Sequence, residues 1–540
     1  MSPASGSAGS GDAAAVIGVA GAGTMGAGIA QLACTAGLTT YLHDPDPEAL
    51  EHGLAAIARR LHREAERGRL SETEADRARA RLRSAESLAD LADCELVIEA
   101  APERLEVKRE LFGRLSDVVA AECVLATNTS SLLVTATASA AANPERVVGM
   151  HFFNPPTRMA LVELVAGVES SPRALAVAGA TGEAMGKRVI EAVDGPGFLV
   201  NRCNRPFGLE GLRLLGERVA TVEQIDRICR LGGGFRMGPF ELMDLVGVDV
   251  GLDVARSFYE QSFGEPRWRP SPIAVKTVAA GRTGRKSGRG YYAYPESGEH
   301  RAPDPAPPPG GGGDGTIVVA GDSQLALELE QAATDAGWEV VTPIEAVQRR
   351  APFLILDLTG GAEVEAPLQG APQAICCNAG SLATLDPGGS AVGFHALPPF
   401  EPSQLVELTQ GPESATSAAQ AAERFFATLG KHTEWVGDAP GLVLGRIVCQ
   451  VVNEAAFALG EGVGSAEDID IGMIHGLGYP RGILAWADEI GLDYVIGELE
   501  ALSVEHGEDR YRIAPALRRL GLSGRLGRAT GEGFFAYAAT

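Results

Sequence analysis

His151 stands among apolar residues in Gly149-Met150-His151-Phe152-Phe153-Asn154-Pro155, and Glu163 follows twelve residues later inside the apolar run Leu161–Val165. A histidine beside phenylalanines is usually a satisfied core residue. A carboxylate within an apolar strand changes that reading, because a buried charge requires a partner and an imidazole is the natural one. Such a pair orients the ring and supports its charged form. His151 with Glu163 is therefore a candidate for general acid–base chemistry.

A second chemistry is written at Gly21-Ala22-Gly23-Thr24-Met25-Gly26, between a strand-like run (Ala14–Ala20) and a helix-like segment. In that setting the first glycine allows a tight turn and the second lets backbone N–H groups approach a pyrophosphate. The third lets the helix pack close to the strand. The next apolar strand, Thr39–His43, ends in Asp44. A carboxylate there accepts hydrogen bonds from ribose hydroxyls and repels a 2′-phosphate, so the expected cofactor is NAD and not NADP. Two further strand ends are polar. Leu96-Val97-Ile98 runs into Glu99 and Glu103 ahead of Lys108, and Ala126-Thr127 runs into Asn128-Thr129-Ser130-Ser131. In a doubly wound parallel sheet such ends line the ligand crevice.

The elements that must position these residues occur twice. Gly393-Phe394-His395 and Leu405-Val406-Glu407-Leu408 repeat Gly149-Met150-His151 and Leu161-Val162-Glu163-Leu164 at an offset of 244, which Pro440-Gly441 shares with Pro196-Gly197. Each half ends in an aromatic tail, GRGYYAY (288–294) and GEGFFAY (531–537). Three landmarks in one register mark an internal duplication. The opening strands, Ala14–Ala20 and Thr316–Ala320, give an offset of 300 instead, so the second copy lacks about fifty-six residues. The missing piece is assigned to residues 48–90, where Leu50, Leu54, Ile57 and Leu61 keep helical spacing and predict a helical hairpin. Arg59, Arg60, Arg63, Arg67 and Arg69 crowd it, either as a solvated face or as a clamp for a phosphate-bearing substrate. In the second copy the glycine turn reads Gly321-Asp322-Ser323-Gln324-Leu325. Asp322 would oppose a pyrophosphate, so no nucleotide is expected there.

The 540 residues carry 46 Lys+Arg against 70 Asp+Glu, a formal charge of −24, with 45% hydrophobic and 21% charged residues. That describes a globular chain of several domains whose charge argues against nucleic-acid or anionic-membrane partners. Eight scattered cysteines form no CxxC pair or Cys/His cluster, so neither a metal site nor a disulfide framework is expected. No signal peptide and no apolar run of ~18 residues is legible, which leads to an expected cytoplasmic location.

GAGTMG, NTSSL, HFFNP followed by LVEL, PGFLVNR and KSGRGYYAY together resemble the L-3-hydroxyacyl-CoA dehydrogenase family over nearly all of 14–294, with a degraded second copy over 316–537. Single-function bacterial members with two C-terminal helical domains, acting on 3-hydroxybutyryl-CoA or 3-hydroxyadipyl-CoA, are the most similar in architecture. The resemblance implies an α/β Rossmann-type NAD-binding domain plus an all-α C-terminal domain, the pair duplicated in one chain with a degenerate second copy. The expected boundaries are a disordered tail (1–12), the NAD-binding domain (13–194) and a helical domain (195–294), then a Pro/Gly linker (295–315). A degenerate Rossmann-like domain (316–437) and a second helical domain (438–540) follow.

The implied reaction is reversible, NAD-dependent oxidation of (S)-3-hydroxyacyl-CoA to 3-oxoacyl-CoA, in fatty acid beta-oxidation or phenylacetate-type degradation. His151 is implied as the acid/base, Glu163 as its partner, and Ser130 and Asn201 as binders of the substrate's oxygens. Glu103, Lys108, Asn154 and Lys286 match positions that contact NAD or its ribose. The hairpin matches the family's CoA-contacting insertion, with Arg59, Arg60 and Arg63 as candidate contacts; the serine and lysine that the family carries there have no clear counterparts. The second copy has Gly445 for Asn201 and Pro398 for Asn154, so it is read as inactive and structural. Since the helical domains of family homodimers pair, 438–537 is expected to pack on 195–294 within one chain, with a homodimer as the other arrangement. The alternatives in function are an NAD-dependent sugar-acid dehydrogenase of the same superfamily and a noncatalytic NAD-binding protein. Arg158 reads either as a surface arginine or as a partner for a distal carboxylate.

Overall fold

The structure, a computed structural model, describes residues 12–296, 298–347, 351–361 and 370–538. All of the expected tail but Asp12 lies outside the described residues. Two compact units form, and they do not follow the two halves of the sequence: one takes the chain up to Arg202 together with Gly462–Leu477, the other Cys203–Glu461 with the chain from Gly478 on.

The first unit is built on an eight-stranded sheet of β1 (Val16–Ala20), β2 (Thr39–His43), β3 (Leu82–Ala85), β4 (Leu96–Glu99), β5 (Val124–Thr127), β6 (Val147–Phe152), β7 (Leu161–Ala166) and β8 (Arg188–Val193). Their order is β3-β2-β1-β4-β5-β6-β7-β8. Every pairing is parallel except the antiparallel one between β6 and β7. Helices cover both faces of such a sheet, so its central strands are continuous apolar runs. Ile17, Val19, Leu96, Ile98, Val148 and Met150 form the core with Ile29 of the helix Thr24–Thr35. The strand order reverses between β1 and β4, which opens a crevice at their carboxyl ends.

The hairpin after β2 is present as helices Pro47–Glu66 and Glu72–Arg81. Asp46 caps the first by accepting the Glu48 N–H, Pro47 fits its first turn, and Leu50, Ile57 and Leu61 bury its inner stripe. Ser71 and Glu74 close a reciprocal capping box on the second. Residues 82–90 depart from the expected hairpin, because Leu82–Ala85 leaves it as the edge strand β3, paired with β2. Its Leu-Arg-Ser-Ala sequence is too short to carry an alternating signal.

The second unit holds a seven-stranded sheet of β9 (Thr316–Ala320), β10 (Glu339–Val341), β11 (Leu354–Asp357), β12 (Gln373–Cys376), β13 (Val392–His395), β14 (Leu405–Gln410) and β15 (His432–Trp435). Its order, β10-β9-β11-β12-β13-β14-β15, repeats the first sheet without β3. The deletion is not confined to the hairpin. The offset between copies is 300 at β10, 258 at β11 and 249 at β12, so the connections flanking β12 are shortened as well.

Helices Arg205–Glu217 and Leu444–Gly460 pack together in this unit. Fully buried Arg446 joins them, donating from Nε to Glu210 at 2.9 Å and from Nη2 to Glu217 at 2.9 Å and the Tyr511 hydroxyl at 2.7 Å. For an ion pair so deep, the cost of desolvation offsets much of the attraction. Residues 295–315 are not a loose linker either. Glu241 accepts from His300 Nε2 at 2.8 Å and Arg301 Nε at 2.7 Å, Arg230 pairs with Asp304 at 2.7 Å, and the Gly311 N–H donates to Thr428 at 2.7 Å. Those side chains override a composition that by itself reads as flexible.

The copies exchange edge contacts. In the first unit the Val193 N–H, at the end of β8, donates to the Val463 carbonyl at 3.0 Å. In the second the Gly437 N–H, beyond β15, donates to the Val219 carbonyl at 2.7 Å, both partners displaced by the same 244.

Candidate active site

The antiparallel register of β6 and β7 sets His151 directly opposite Glu163. Directly opposed residues share one face with Cβ atoms about 5 Å apart, so twelve residues of sequence become one hydrogen bond. His151 Nδ1 meets Glu163 Oε2 at 2.6 Å, and the Glu163 side chain is fully buried. Its other oxygen accepts the N–H groups of Leu199 at 3.1 Å and Val200 at 2.8 Å. Both oxygens of the buried charge are thus satisfied. Phe153 and Phe198 tilt against the imidazole at 4.6 and 5.9 Å, and Nε2 makes no hydrogen bond among the described residues.

Neighbouring strand ends supply the remaining polar groups. Ser130 follows β5, next in the sheet to β6, and its hydroxyl makes only a long 3.5 Å contact with Glu103. Asn201 directly follows Val200, and its side-chain amide makes no hydrogen bond among the described residues. Asn154 is exposed at the end of the His151 strand. Asn128 braces that strand by accepting the Phe152 N–H at 2.8 Å.

Glu103 and Lys108 hold the loop after β5 in place. Glu103 Oε1 gathers the loop after β5, accepting from the Thr129 hydroxyl at 2.6 Å, the Ser130 N–H at 2.9 Å and the Ser131 N–H at 3.1 Å. Burial pulls its carboxyl upward, but Lys108 and these hydrogen bonds outweigh burial and hold it below the usual range. Lys108 is wholly buried, donating to Glu99 at 2.7 Å with Glu103 at 3.3 Å, and has no surface to offer a ligand. In this structure the ammonium serves the loop through two carboxylates, because a buried lysine needs paired charge. Lys286 lies in the second unit, paired with Asp249 at 2.7 Å.

The glycine turn fits a dinucleotide. Gly21 has φ +118°, and a Cβ there would sit 2.5 Å from the Ala100 carbonyl oxygen. A Cβ on Gly26 would overlap the Gly21 carbonyl, whereas one on Gly23 would meet nothing within 4 Å. The open side of Gly23 is the room a pyrophosphate needs at the start of the helix from Thr24, where backbone N–H groups lack intrahelical partners. Thr24 is exposed beside it, and Met25 packs into the core. Asp44 accepts the Ala22 N–H at 2.8 Å, which fixes the carboxylate at the end of β2 where a ribose would lie.

A cavity of about 610 Å³ opens between the helix Thr24–Thr35, the first hairpin helix and residues 155–158, and Arg60, Arg63, Arg67, Arg69 and Arg158 line it. Arg59 does not. On a helix, positions 60, 63 and 67 share a face and 59 is rotated about 100° from 60. Arg67, Arg69 and Arg158 are the cleft residues that the resemblance did not supply. Lys187, which the sequence reading missed, fastens the 155–159 turn by donating to the Pro156 and Met159 carbonyls, each at 2.7 Å; burial lowers its ammonium to about 8. A larger cavity of about 960 Å³, lined by Ala15, Glu95 and Cys123, opens at the amino ends of the strands and contains none of these groups.

In the second copy the matching pair is separated. His395 faces Glu407 in register, yet Nδ1 lies 3.9 Å from it, and Nε2 meets the Tyr494 hydroxyl at 3.0 Å and Glu498 at 3.3 Å. A Cβ on Gly445 would overlap the imidazole. Ser323 fills the start of the helix Gln324–Asp335 by accepting the Ala326 N–H.

The NAD binding domain of 3-hydroxyacyl-CoA dehydrogenase matches residues 16–195, and the C-terminal domain of the same enzymes matches twice, at 197–294 and 441–537. A 3-hydroxyadipyl-CoA dehydrogenase of Escherichia coli (strain K12) is 35% identical over 508 residues, 94% of this chain and 97% of its own length. A probable 3-hydroxybutyryl-CoA dehydrogenase of Deinococcus radiodurans is 40% identical over 277 residues, 51% of this chain and 99% of its own. The crystal structure of a 3-hydroxybutyryl-CoA dehydrogenase from Escherichia coli K12 superposes with a TM-score of 0.79 at 33% identity, covering 95% of this chain and 99% of that one. With its Rossmann-type NAD-binding sheet, its NAD-fitting glycine turn and its two helical domains, the chain belongs to the 3-hydroxyacyl-CoA dehydrogenase family.

Proposed function

We propose that this chain oxidises (S)-3-hydroxyacyl-CoA esters to 3-oxoacyl-CoA with NAD, reversibly, at the single site of its first half. The observation that carries the reading is the 2.6 Å contact between His151 Nδ1 and Glu163, which leaves Nε2 without a hydrogen bond among the described residues. NAD, when bound, supplies the acceptor for the hydride leaving C3 of the substrate. His151 Nε2 takes the proton of the 3-hydroxyl as that hydride departs. Glu163 holds the ring in the tautomer with Nδ1 protonated and stabilises the imidazolium that forms, and in the reductive direction the same nitrogen returns the proton. Ser130 and Asn201 orient the substrate's oxygens. The arginine cleft, at Arg60, Arg63, Arg67 and Arg69, takes the phosphates of CoA. That cleft favours a CoA ester over a sugar acid, which carries no phosphate.

The second half is noncatalytic in this reading, and the Arg446 contacts support pairing of the two helical domains within one chain in place of a dimer contact. Eight buried cysteines, none in a disulfide, support a reducing, cytoplasmic setting, and degradation of acyl chains is the pathway class. No described helix is long and apolar enough to cross a membrane. The test is NADH oxidation by the purified chain with acetoacetyl-CoA, set against NAD reduction with a 3-hydroxy sugar acid. Turnover of the thioester alone is the expected result; turnover of the sugar acid alone would overturn the substrate class.

A further inference from the structure

The second half has lost its own site, yet sixteen of its residues, Gly462–Leu477, belong to the compact unit that carries His151. The helix Ala466–Leu477 packs on β7 and β8. The docking is built, not incidental: besides the Val193–Val463 hydrogen bond, a Cβ on Gly464 would sit 3.3 Å from the Glu191 carbonyl oxygen, and the turn into the helix is closed by Ser465, whose hydroxyl donates to Asp468 at 2.9 Å.

What the segment touches is the frame of the catalytic pair. A Cβ on Gly464 would sit 2.6 Å from the Leu199 side chain, and one on Gly472 would sit 2.7 Å from Val200 and 3.1 Å from Ile190. A Cβ on Gly476 would sit 2.8 Å from Leu161, 3.3 Å from Val200 and 3.4 Å from the Phe153 ring. Leu199 and Val200 are the residues whose N–H groups hold Glu163, and Phe153 is the ring against His151. Close-packed interiors transmit a displacement of this size because no void absorbs it.

We propose that Gly472 and Gly476 are positioning residues for the His151–Glu163 pair, so that the degenerate half of the chain sets the geometry of the working half. Residues 462–477 lend no group to the reaction. They fix where Val200 and Phe153 lie, and through them the carboxylate and the ring. The proposal rests on the acid–base reading of that pair.

Gly472→Val drives methyl groups into Val200. The expected result is a kcat on acetoacetyl-CoA lowered about tenfold or more, with KM for the thioester and Kd for NADH held within about twofold. The proton between His151 Nδ1 and Glu163, assigned as the downfield resonance absent from His151→Gln, should move or vanish in Gly472→Val with no substrate present. Adding Val200→Ala, which keeps the N–H and removes the obstructing methyls, should return both kcat and the resonance towards wild type. A chain merely weakened in folding would not be restored that way. Gly472→Ala gives the same signs at smaller size if the valine variant does not fold. Unchanged kcat with an unmoved resonance overturns the proposal, as does a loss that Val200→Ala fails to restore. A wild type that shows the resonance and its response but does not turn over acetoacetyl-CoA counts against the substrate reading alone.

Discussion

Glu163 can be buried because His151 takes one oxygen and two backbone N–H groups take the other. The same logic governs Lys108, whose ammonium sits between Glu99 and Glu103. Lys108→Met strands both carboxylates, and breaking a buried pair from one side costs about 3–5 kcal/mol. The expected outcome is a lowered thermal midpoint together with a lowered kcat, as Glu103 loosens its hold on the Ser130 loop. A variant that keeps its stability and loses only NADH affinity would make Lys108 a cofactor contact instead of a brace for that loop. At the glycine turn, Gly23→Val fills the one open side, so NADH Kd should rise about tenfold or more, ~1.4 kcal/mol, with an unchanged thermal midpoint in the absence of cofactor. Unchanged affinity in a binding titration would contradict the pyrophosphate placement. His151 and Glu163 were legible in the sequence because a strand register converts spacing into contact. Lys187 was not, because its partners are backbone carbonyls brought to it only by folding.

Among the elements, the helix Pro47–Glu66 was readable from its apolar stripe, but the face its arginines present was not. A charge run reads alike whether it meets solvent or a ligand; the turn at Pro155–Arg158 opposite makes it a cleft. Arg60→Ala with Arg63→Ala should raise KM for acetoacetyl-CoA about tenfold and make KM less sensitive to salt, while KM for acetoacetyl-pantetheine, which lacks the nucleotide phosphates, stays the same. Equal effects on both thioesters would place CoA elsewhere. The strap at 295–315 shows the opposite failure of sequence reading. Proline and glycine content describes how a segment behaves alone, whereas Arg230, Glu241 and Asp304 fasten this one.

For the whole molecule, duplication was legible because the offset of 244 holds from His151 and His395 onward, as in Asp194 and Asp438, which each accept two backbone N–H groups from the start of a short helix. The units were not legible, since the transfer of Gly462–Leu477 to the first is a matter of tertiary packing. The second unit also carries buried acids that bind protons. Burial pushes Asp226 and Glu407 each up to about 7, against the backbone N–H groups and His395 that pull them down. Unfolded, such carboxyls ionise near pH ~4. The folded chain therefore holds extra protons between those values, so this contribution to stability is complete in acid and lost as pH rises through about 7. Glu407→Gln should narrow the fall in thermal midpoint between pH 5 and pH 8, and a fall identical to wild type would contradict the assignment.

Under the proposed function one site works in a chain that carries two His/Glu pairs. The most direct test is NADH oxidation with acetoacetyl-CoA by wild type, His151→Ala and His395→Ala, with NADH Kd measured on each. Loss of turnover by about 10²–10⁴-fold in His151→Ala alone, with NADH affinity kept in all three, is the expected result. Turnover that survives in His151→Ala, or that falls equally in both variants, would contradict it.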